Sequence, residues 1–190
     1  MKLVGLDIGT TGCKCTVFDE QGKYLNKAYR DYPVRRKVGS HEVDISVIMD
    51  GVYAVLKEMA GQYPDIAGVG VTSFGETFIM TDQSGKPLHT AMLYTDPRGE
   101  EECRELVQII GKKRMEQITG LYPHHMYSIS KMMWIKRHRP EVYQRAEHIF
   151  LMEDYVVWQL TGKRQIDYSL ATRTMAFDIQ KLSWCEEIFQ

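Results

Sequence analysis

The chain is poor in cysteine and proline: its 190 residues hold four of the first and six of the second. Cys13, Cys15, Cys103 and Cys185 are too scattered for a disulfide framework. Cys13 and Cys15 lie two apart in a predicted strand and so share a face. Without ligand partners at matching spacing, all read as buried or half-buried cytosolic thiols. Long apolar runs are also missing. Nothing approaches the ~18 residues of a membrane span, and the N-terminus enters a strand directly, without the layout of a secretory leader. Neither charge predominates: 24 Lys and Arg stand against 25 Asp and Glu, a net charge of -1, which leaves no broad basic footprint for nucleic acid. The expectation is a cytoplasmic protein with no nucleic-acid and no membrane partner. There is no internal repeat, low-complexity tract or long linker. What is present, 44% hydrophobic and 26% charged residues, is a globular composition at a length that fits one large domain, or a domain and a fragment.

The front half reads as strands on short turns. Residues 3–8 form a buried-strand run, 13–19 a second, and 24–30 a third after the turn Glu20-Gln21-Gly22-Lys23, together an antiparallel meander. After the polar loop "RRKVGSHEVD", Asp44 is positioned to cap a helix, and Ile45, Ile48, Met49, Val52, Val55, Leu56 and Met59 recur at helical period. Gln62-Tyr63-Pro64-Asp65 ends that helix, and 66–72 is a further strand. "ETFIMTDQSGKPLHTAMLY" places a turn at 82–86 between two apolar runs, which predicts a second hairpin. Asp96-Pro97 is expected to open a helix, Asp96 as N-cap and Pro97 at the first helical position, with Glu100, Glu101 and Glu102 near the positive end of its dipole. Gly111 and Gly120 are expected as helix stops. Helices over 130–138, ending before Pro140, and over 153–160, stopped by Gly162, flank a short strand at 148–151.

The order β-β-β-α-β is not that of a doubly wound nucleotide fold, where a glycine-rich turn feeds a helix. In "VGLDIGTTGCKCTVFDEQG" the Gly/Thr elbow feeds a strand, and no Gly-Lys-Thr follows as in a Walker loop. A phosphate would have to sit in a hairpin bend. Gly9 permits unusual backbone angles and close approach. Successive amides in such a bend form an anion nest. Thr10 and Thr11 add hydroxyl donors, Lys14 adds charge, and Asp7 suits a magnesium ion held through water. From spacing alone, a plain hairpin with Asp7 as a turn residue fits as well.

Further segments shift that balance. "LDIGTTGCKCTVFDEQG" resembles the first phosphate motif of the FGGY carbohydrate kinases, a family that includes xylulokinases, gluconokinases and glycerol kinases. "SFGETFIMTDQSGKPLHTAMLYTDPRGEEEC" resembles its sugar-site hairpin and aromatic-x-Asp-x-Arg segment. "ITGLYPHHMYSISKMMWIKRHRPEVY" resembles its Thr-Gly…Lys-x-x-Trp stretch, and "LMEDYVVWQLTGKRQIDYSLATRTMAFDIQKLSW" its Asp-x-Ser-x-Ala-x-x-Thr run. Four pieces match in order along the chain. The resemblance implies an α/β, ribonuclease-H-like domain of the actin/hexokinase superfamily, with an antiparallel β-meander start and a mixed sheet flanked by helices. It implies ATP-dependent phosphorylation of a sugar or polyol hydroxyl, with Mg2+, in a cleft between two domains, and a homodimer is among the expectations for the full-length protein. Asp7 would organise the magnesium ion, and Gly9, Thr10, Thr11 and Lys14 would face the phosphates. Gly75 and Glu76 fall where the family contacts substrate hydroxyls, Tyr94 and Asp96 at a second contact point, and Met126 at a third. A carboxylate suits a polyol because it accepts from two hydroxyls at once. The chain departs from the pattern: Tyr94 stands where many relatives have Trp, and Gly75-Glu76 where glycerol kinases have Arg-Glu and xylulokinases Met-His.

Other polar residues have plainer readings. Arg98 is as well explained as a surface partner of the following glutamates as by a site role. His124 and His125 read as solvated loop residues, Asp167 as a turn or capping residue, and Asp178 as a strand-end residue. Met132, Met133 and Trp134 read as core packing, and Lys136, Arg137 and Arg139 as a solvated helix end.

Ser183-Trp184-Cys185-Glu186 has the form of a capping box and announces a helix close to the end of the chain. The family's general base, an aspartate in a Gly-Asp segment, has no counterpart here. The expectation is that residues 1–190 are the N-terminal, sugar-binding domain of a longer kinase, truncated at its C-terminal end and without the nucleotide-binding domain. The other class that stays open is a non-catalytic sugar-binding or interaction module of actin-like fold.

Overall fold

Apolar alternation builds the central sheet of the computed structural model, which describes Met1–Gln190. In β1 (Lys2–Ile8) the buried side chains are Val4, Leu6 and Ile8, and in β2 (Gly12–Asp19) they are Cys13, Cys15 and Val17. They share one face because side chains alternate along a strand. β2 runs antiparallel to both β1 and β3 (Tyr24–Asp31), the meander that the sequence predicts. A ribbon of β4 (Arg35–Lys37) and β5 (Ser40–Val43) leads into α1 (Ile45–Gln62). Asp44 caps α1, its carboxylate accepting from the Ser46 amide at 2.9 Å. The helix gives way at Tyr63, since the residue before a proline disfavours helical backbone. Ile45, Ile48, Met49, Val52, Val55 and Met59 of α1 pack into one core with the buried face of the meander. Each such side chain stabilises the fold by ~1.5–3 kcal/mol.

β6 (Ile66–Ser73) returns parallel to β1 and completes a four-stranded mixed sheet in the order β3-β2-β1-β6. A parallel return needs a long crossover, and α1 supplies it. The chain thus adopts the expected α/β class. No helix is long and apolar enough to cross a membrane.

Beyond the sheet, three expectations are corrected. The hairpin closes only beside its turn, where Thr81 pairs with Pro87 and the Leu88 amide donates to Met80 O at 2.9 Å; β7 (Phe78–Thr81) otherwise pairs with β9 (His148–Leu151), and β8 (Ala91–Met92) pairs with β5. The turn between them forms, with Asp82 Oδ1 accepting from the amides of Ser84 and Lys86 at 2.9 and 3.0 Å. Pro87 then has no amide to give, and the His89 ring takes a ladder position, its Nε2 accepting from the Met80 amide at 3.1 Å. Asp96 caps no helix. α2 (Glu100–Ile110) begins after Gly99, whose φ of 93° fills the N-cap position, and Asp96 turns inward. The Ser183–Glu186 capping box does not form either, as set out below for that segment.

Gly111 and Gly120 do end α2 and α3 (Lys112–Thr119). α4 (Ser128–His138) starts at Ser128 rather than Ser130, because the carbonyl of Thr174 accepts from the Ile129 amide at 3.0 Å and satisfies the first turn. α5 (Pro140–Arg145) opens on its proline, and α6 (Met152–Thr161) stops at Gly162. Asp167 caps α7 (Tyr168–Thr172), accepting from the Leu170 amide at 2.9 Å. Asp178 ends β10 (Phe177–Asp178) and accepts from the amides of Gln180 and Lys181. Ser183 lies in β11 (Ser183–Trp184), paired with Asp178, and the Cys185 amide donates to Ala176. Those bonds keep 183–185 extended, so α8 (Glu186–Phe189) begins with Cys185 at its N-cap and no side-chain cap. All four cysteines are free and buried, Cys13 and Cys15 on the same face.

Candidate active site

β1 and β6 are parallel neighbours, so their C-terminal ends point the same way. Ile8 and Ser73 are their last paired residues, and the Phe74 amide donates to the Ile8 carbonyl at 3.0 Å. The elbow at residues 9–11 leaves β1 at this level, and the segment 74–77 leaves β6 beside it. Open α/β sheets place ligands at such strand ends.

The elbow is tight. The Gly9 amide donates to the Gly12 carbonyl at 2.9 Å, and a Cβ on Gly9 would stand 3.1 Å from that same oxygen. Close approach, not an unusual φ, is what requires glycine there. The buried Tyr32 supports the bend from beneath: its hydroxyl donates to the Gly9 carbonyl, and its amide donates to Thr11 O at 3.1 Å. Thr10 is half-buried and Thr11 exposed. Asp7 and Lys14 face each other across β1 and β2, with Asp7 Oδ2 3.3 Å from Lys14 Nζ and both side chains about half exposed. A half-exposed carboxylate suits Mg2+, which keeps several waters and takes one or two carboxylates together with phosphate oxygens.

The neighbouring segment gathers groups from four parts of the chain. Glu76 is buried, with its side chain only 8% exposed, and its carboxylate accepts from Arg173 Nη2. The Ser128 hydroxyl donates to the Glu76 carbonyl at 2.7 Å, and the Thr77 hydroxyl to the Met92 carbonyl at 2.8 Å. The Arg173 guanidinium lies 5.1 Å from the centroid of the Tyr127 ring. Lys131 is fully buried. Its ammonium donates to the carbonyls of Asp96 at 3.0 Å and His125 at 2.8 Å, tying the 94–98 and 124–126 segments to one point. Burial draws the Lys131 pKa down to about 8, with the Asp96 carboxylate working against that shift.

Gly75 and Glu76 therefore lie together at the end of β6, with Met126 two residues before Ser128 and packed against a second core cluster. Tyr94 is exposed, and Met126 is half-buried, its amide donating to His124 Nδ1 at 3.0 Å. Asp96 reaches the cluster by its backbone carbonyl. Its carboxylate is fully buried and accepts from the His41 amide at 2.8 Å and from Arg98 Nε and Nη2 at 2.8 and 2.6 Å. Burial alone pushes this carboxyl up, but the hydrogen bonds from Arg98 and His41 outweigh it and hold it below the usual range. Arg98 is thus no partner of the following glutamates. It bridges Asp96 and Glu42 and stacks 4.9 Å from the Trp134 ring. Arg137 does bind Glu102 and Glu105, and His124 and His125 stack at 4.4 Å.

Sequence reasoning missed Arg173, Lys131 and Tyr127. Lys131 carried a signal: it is a lone charge among Ile129, Met132 and Ile135 on a helix that buries that face. A cavity of about 630 Å3 lies elsewhere, between His148, Phe150, Asp154, Ile166 and Trp184. Its walls are mainly apolar, and none of the residues just described as elbow or acceptor groups lines it.

The chain belongs to the FGGY family of carbohydrate kinases, and its residues 2–190 match the family's N-terminal domain. It is similar to the glycerol kinase of Thermococcus onnurineus, with 34% identity over 99% of this chain and 40% of that one. It is also similar to the xylulose kinase of Lactococcus lactis subsp. lactis, with 27% identity over 98% of this chain and 38% of that one. Among solved structures it is similar to Plasmodium falciparum glycerol kinase with ADP, at a TM-score of 0.92 and 26% identity, covering 98% of this chain and 40% of that one. The chain therefore spans only 38–40% of the length of the curated relatives just named.

Proposed function

We propose that this domain supplies the acceptor site and the first phosphate loop of a kinase that transfers a phosphoryl group from ATP to a hydroxyl of a sugar or polyol. The observation that carries this reading is the adjacency of the elbow and the Glu76 cluster at the ends of two parallel strands. Phosphoryl transfer needs chiefly positioning and charge neutralisation, and the two loops are built for those tasks. Backbone amides around Gly9, the hydroxyls of Thr10 and Thr11, and Lys14 orient phosphate oxygens. Asp7 holds Mg2+, which when bound offsets phosphate charge. Glu76 accepts from acceptor hydroxyls, with Gly75, Tyr94 and Met126 around it, while Asp96 sets the 94–98 segment from below. The base that takes the hydroxyl proton is assigned to the part of the kinase beyond this domain. Four buried free thiols accord with the cytoplasm as its setting.

The test is acceptor-dependent ADP formation by the full-length kinase across glycerol, pentuloses and sugar acids in the presence of Mg2+. At least one acceptor is expected to drive turnover. Absence of stimulation by every polyhydroxy acceptor, with ATP binding retained, would overturn the proposal.

A further inference from the structure

Glu76 and Arg173 lie 97 positions apart in sequence, yet their side chains pair at the end of β6. Arg173 follows α7 directly and crosses the backbone of Gly75. A Cβ at position 75 would stand 3.1 Å from Arg173 Cγ and 3.3 Å from Nε, so the glycine is what lets the arginine lie there. The Tyr127 ring supports the guanidinium. The pair is lopsided in exposure: the Glu76 side chain is 8% exposed and that of Arg173 35%. Glu76 engages Nη2, and the N–H groups of Nε and Nη1 have no protein acceptor.

We propose that Arg173 is a substrate-binding, specificity-determining residue, and that Glu76 and Arg173 together clamp two neighbouring oxygens of the acceptor. The carboxylate is acceptor-only and accepts a hydrogen bond from one hydroxyl; the guanidinium is donor-only and donates one to the next oxygen. A carboxylate and a guanidinium side by side therefore match a vicinal diol. A carboxylate can accept from hydroxyls but cannot donate, so the guanidinium is what adds a donated hydrogen bond to the second oxygen. Arginine is suited to the task because its planar fork is held in one orientation, here by Tyr127 on its face and Glu76 at its edge. This inference rests on the proposed carbohydrate kinase activity and names the acceptor chemistry of that same site.

The experiment compares wild type, Arg173→Met, Arg173→Lys and Gly75→Ala in the full-length kinase. Each is assayed with the best acceptor and with its analogue lacking one hydroxyl of the diol. Arg173→Met is expected to raise the acceptor KM ~10-fold or more, the scale of one charge-assisted hydrogen bond, with the KM for ATP unchanged. Arg173→Lys should retain part of the affinity. Gly75→Ala displaces the arginine without removing it and should move the acceptor KM in the same direction. The decisive readout is coupling: the deoxy analogue should be strongly disfavoured by wild type and much less so by Arg173→Met. Equal discrimination in both, or an unchanged acceptor KM in folded Arg173→Met and Gly75→Ala, would overturn the clamp while leaving the kinase reading intact. A wild-type enzyme that phosphorylates no polyol would overturn both.

Discussion

Ile8 and Ser73 stand opposite each other as the last paired residues of two parallel strands, and the Phe74 amide locks their exits together. The elbow and the acceptor segment therefore start from one rigid edge, each on a strand held by the same apolar core.

Asp7 is the first test of the elbow. Its partner Lys14 lies 3.3 Å away and both are about half exposed, so the pair contributes little to stability, ~0–1 kcal/mol. Asp7→Ala in the full-length kinase should leave the Tm and acceptor binding nearly unchanged. Turnover should fall ~100-fold or more, as expected on removing a preorganised charge-stabilising group. The measurement is kcat over a range of Mg2+ concentrations. Normal turnover at ordinary Mg2+ would show the elbow to be only a hairpin.

Glu76 is the first test of the acceptor segment. Glu76→Gln keeps the volume but removes the charge, and each hydrogen bond to a charged group is worth ~1.5–3 kcal/mol. The acceptor KM should rise ~10-fold or more by the same estimate, with the ATP curve unmoved. Saturation curves in each substrate separate the outcomes. An equal loss on both would point to disturbed domain closure instead.

The elements that were legible in the sequence are those fixed by local chemistry. Asp44, Asp167, Gly111, Gly120 and Gly162 mark helix ends because caps act within a turn, and the α1 face follows from its period. The failures are non-local. The hairpin after β7 forms beside its turn but extends no further, because β9, far along the chain, pairs with β7 and β5 pairs with β8. Asp96-Pro97 carries a helix-start signal, but a partly buried arginine beside it gives the carboxylate better partners than a helix end does. Motif order is what proposes Asp7, the elbow and Glu76 as site residues. It does not propose Arg173, which only folding brings over Gly75.

Asp154 offers a test by pH. Burial holds its carboxyl up at about 7, against the lowering effect of the Leu151 amide, which donates to Oδ1 at 2.7 Å. The folded protein keeps a proton there that the unfolded chain has lost, so this group's contribution to stability falls as pH rises from about 4 to about 7. Asp154→Asn retains an acceptor for the Leu151 amide and carries no charge. It should flatten that slope and exceed wild type at neutral pH by ~1–3 kcal/mol. Glu153, also raised to about 7 by burial and by Asp167, leaves a residual slope. Urea unfolding across the window checks this, and parallel curves for the two proteins would count against it.

Lys131 links stability to the acceptor site. It is wholly buried, and its ammonium holds the carbonyls of Asp96 and His125, which carry the two flanking segments. Replacing it with Met fills similar volume but leaves both carbonyls unsatisfied, each at ~1–3 kcal/mol. Removal of the buried charge works in the opposite direction, so the net loss of stability should be smaller than the two carbonyls suggest. The acceptor KM should rise, because the Tyr94 and Met126 segments lose their common anchor. The pH dependence separates this from a general packing defect. With its folded pKa at about 8 against 10.5, Lys131 holds its proton longer in the unfolded chain than in the folded one. Its contribution to stability therefore increases as pH rises through that window, by at most ~3 kcal/mol. The stability of wild type relative to Lys131→Met should shift in favour of wild type between those two values. Unfolding free energies measured on both proteins at either end of the window decide the matter: a difference that stays constant would place the lysine's proton elsewhere.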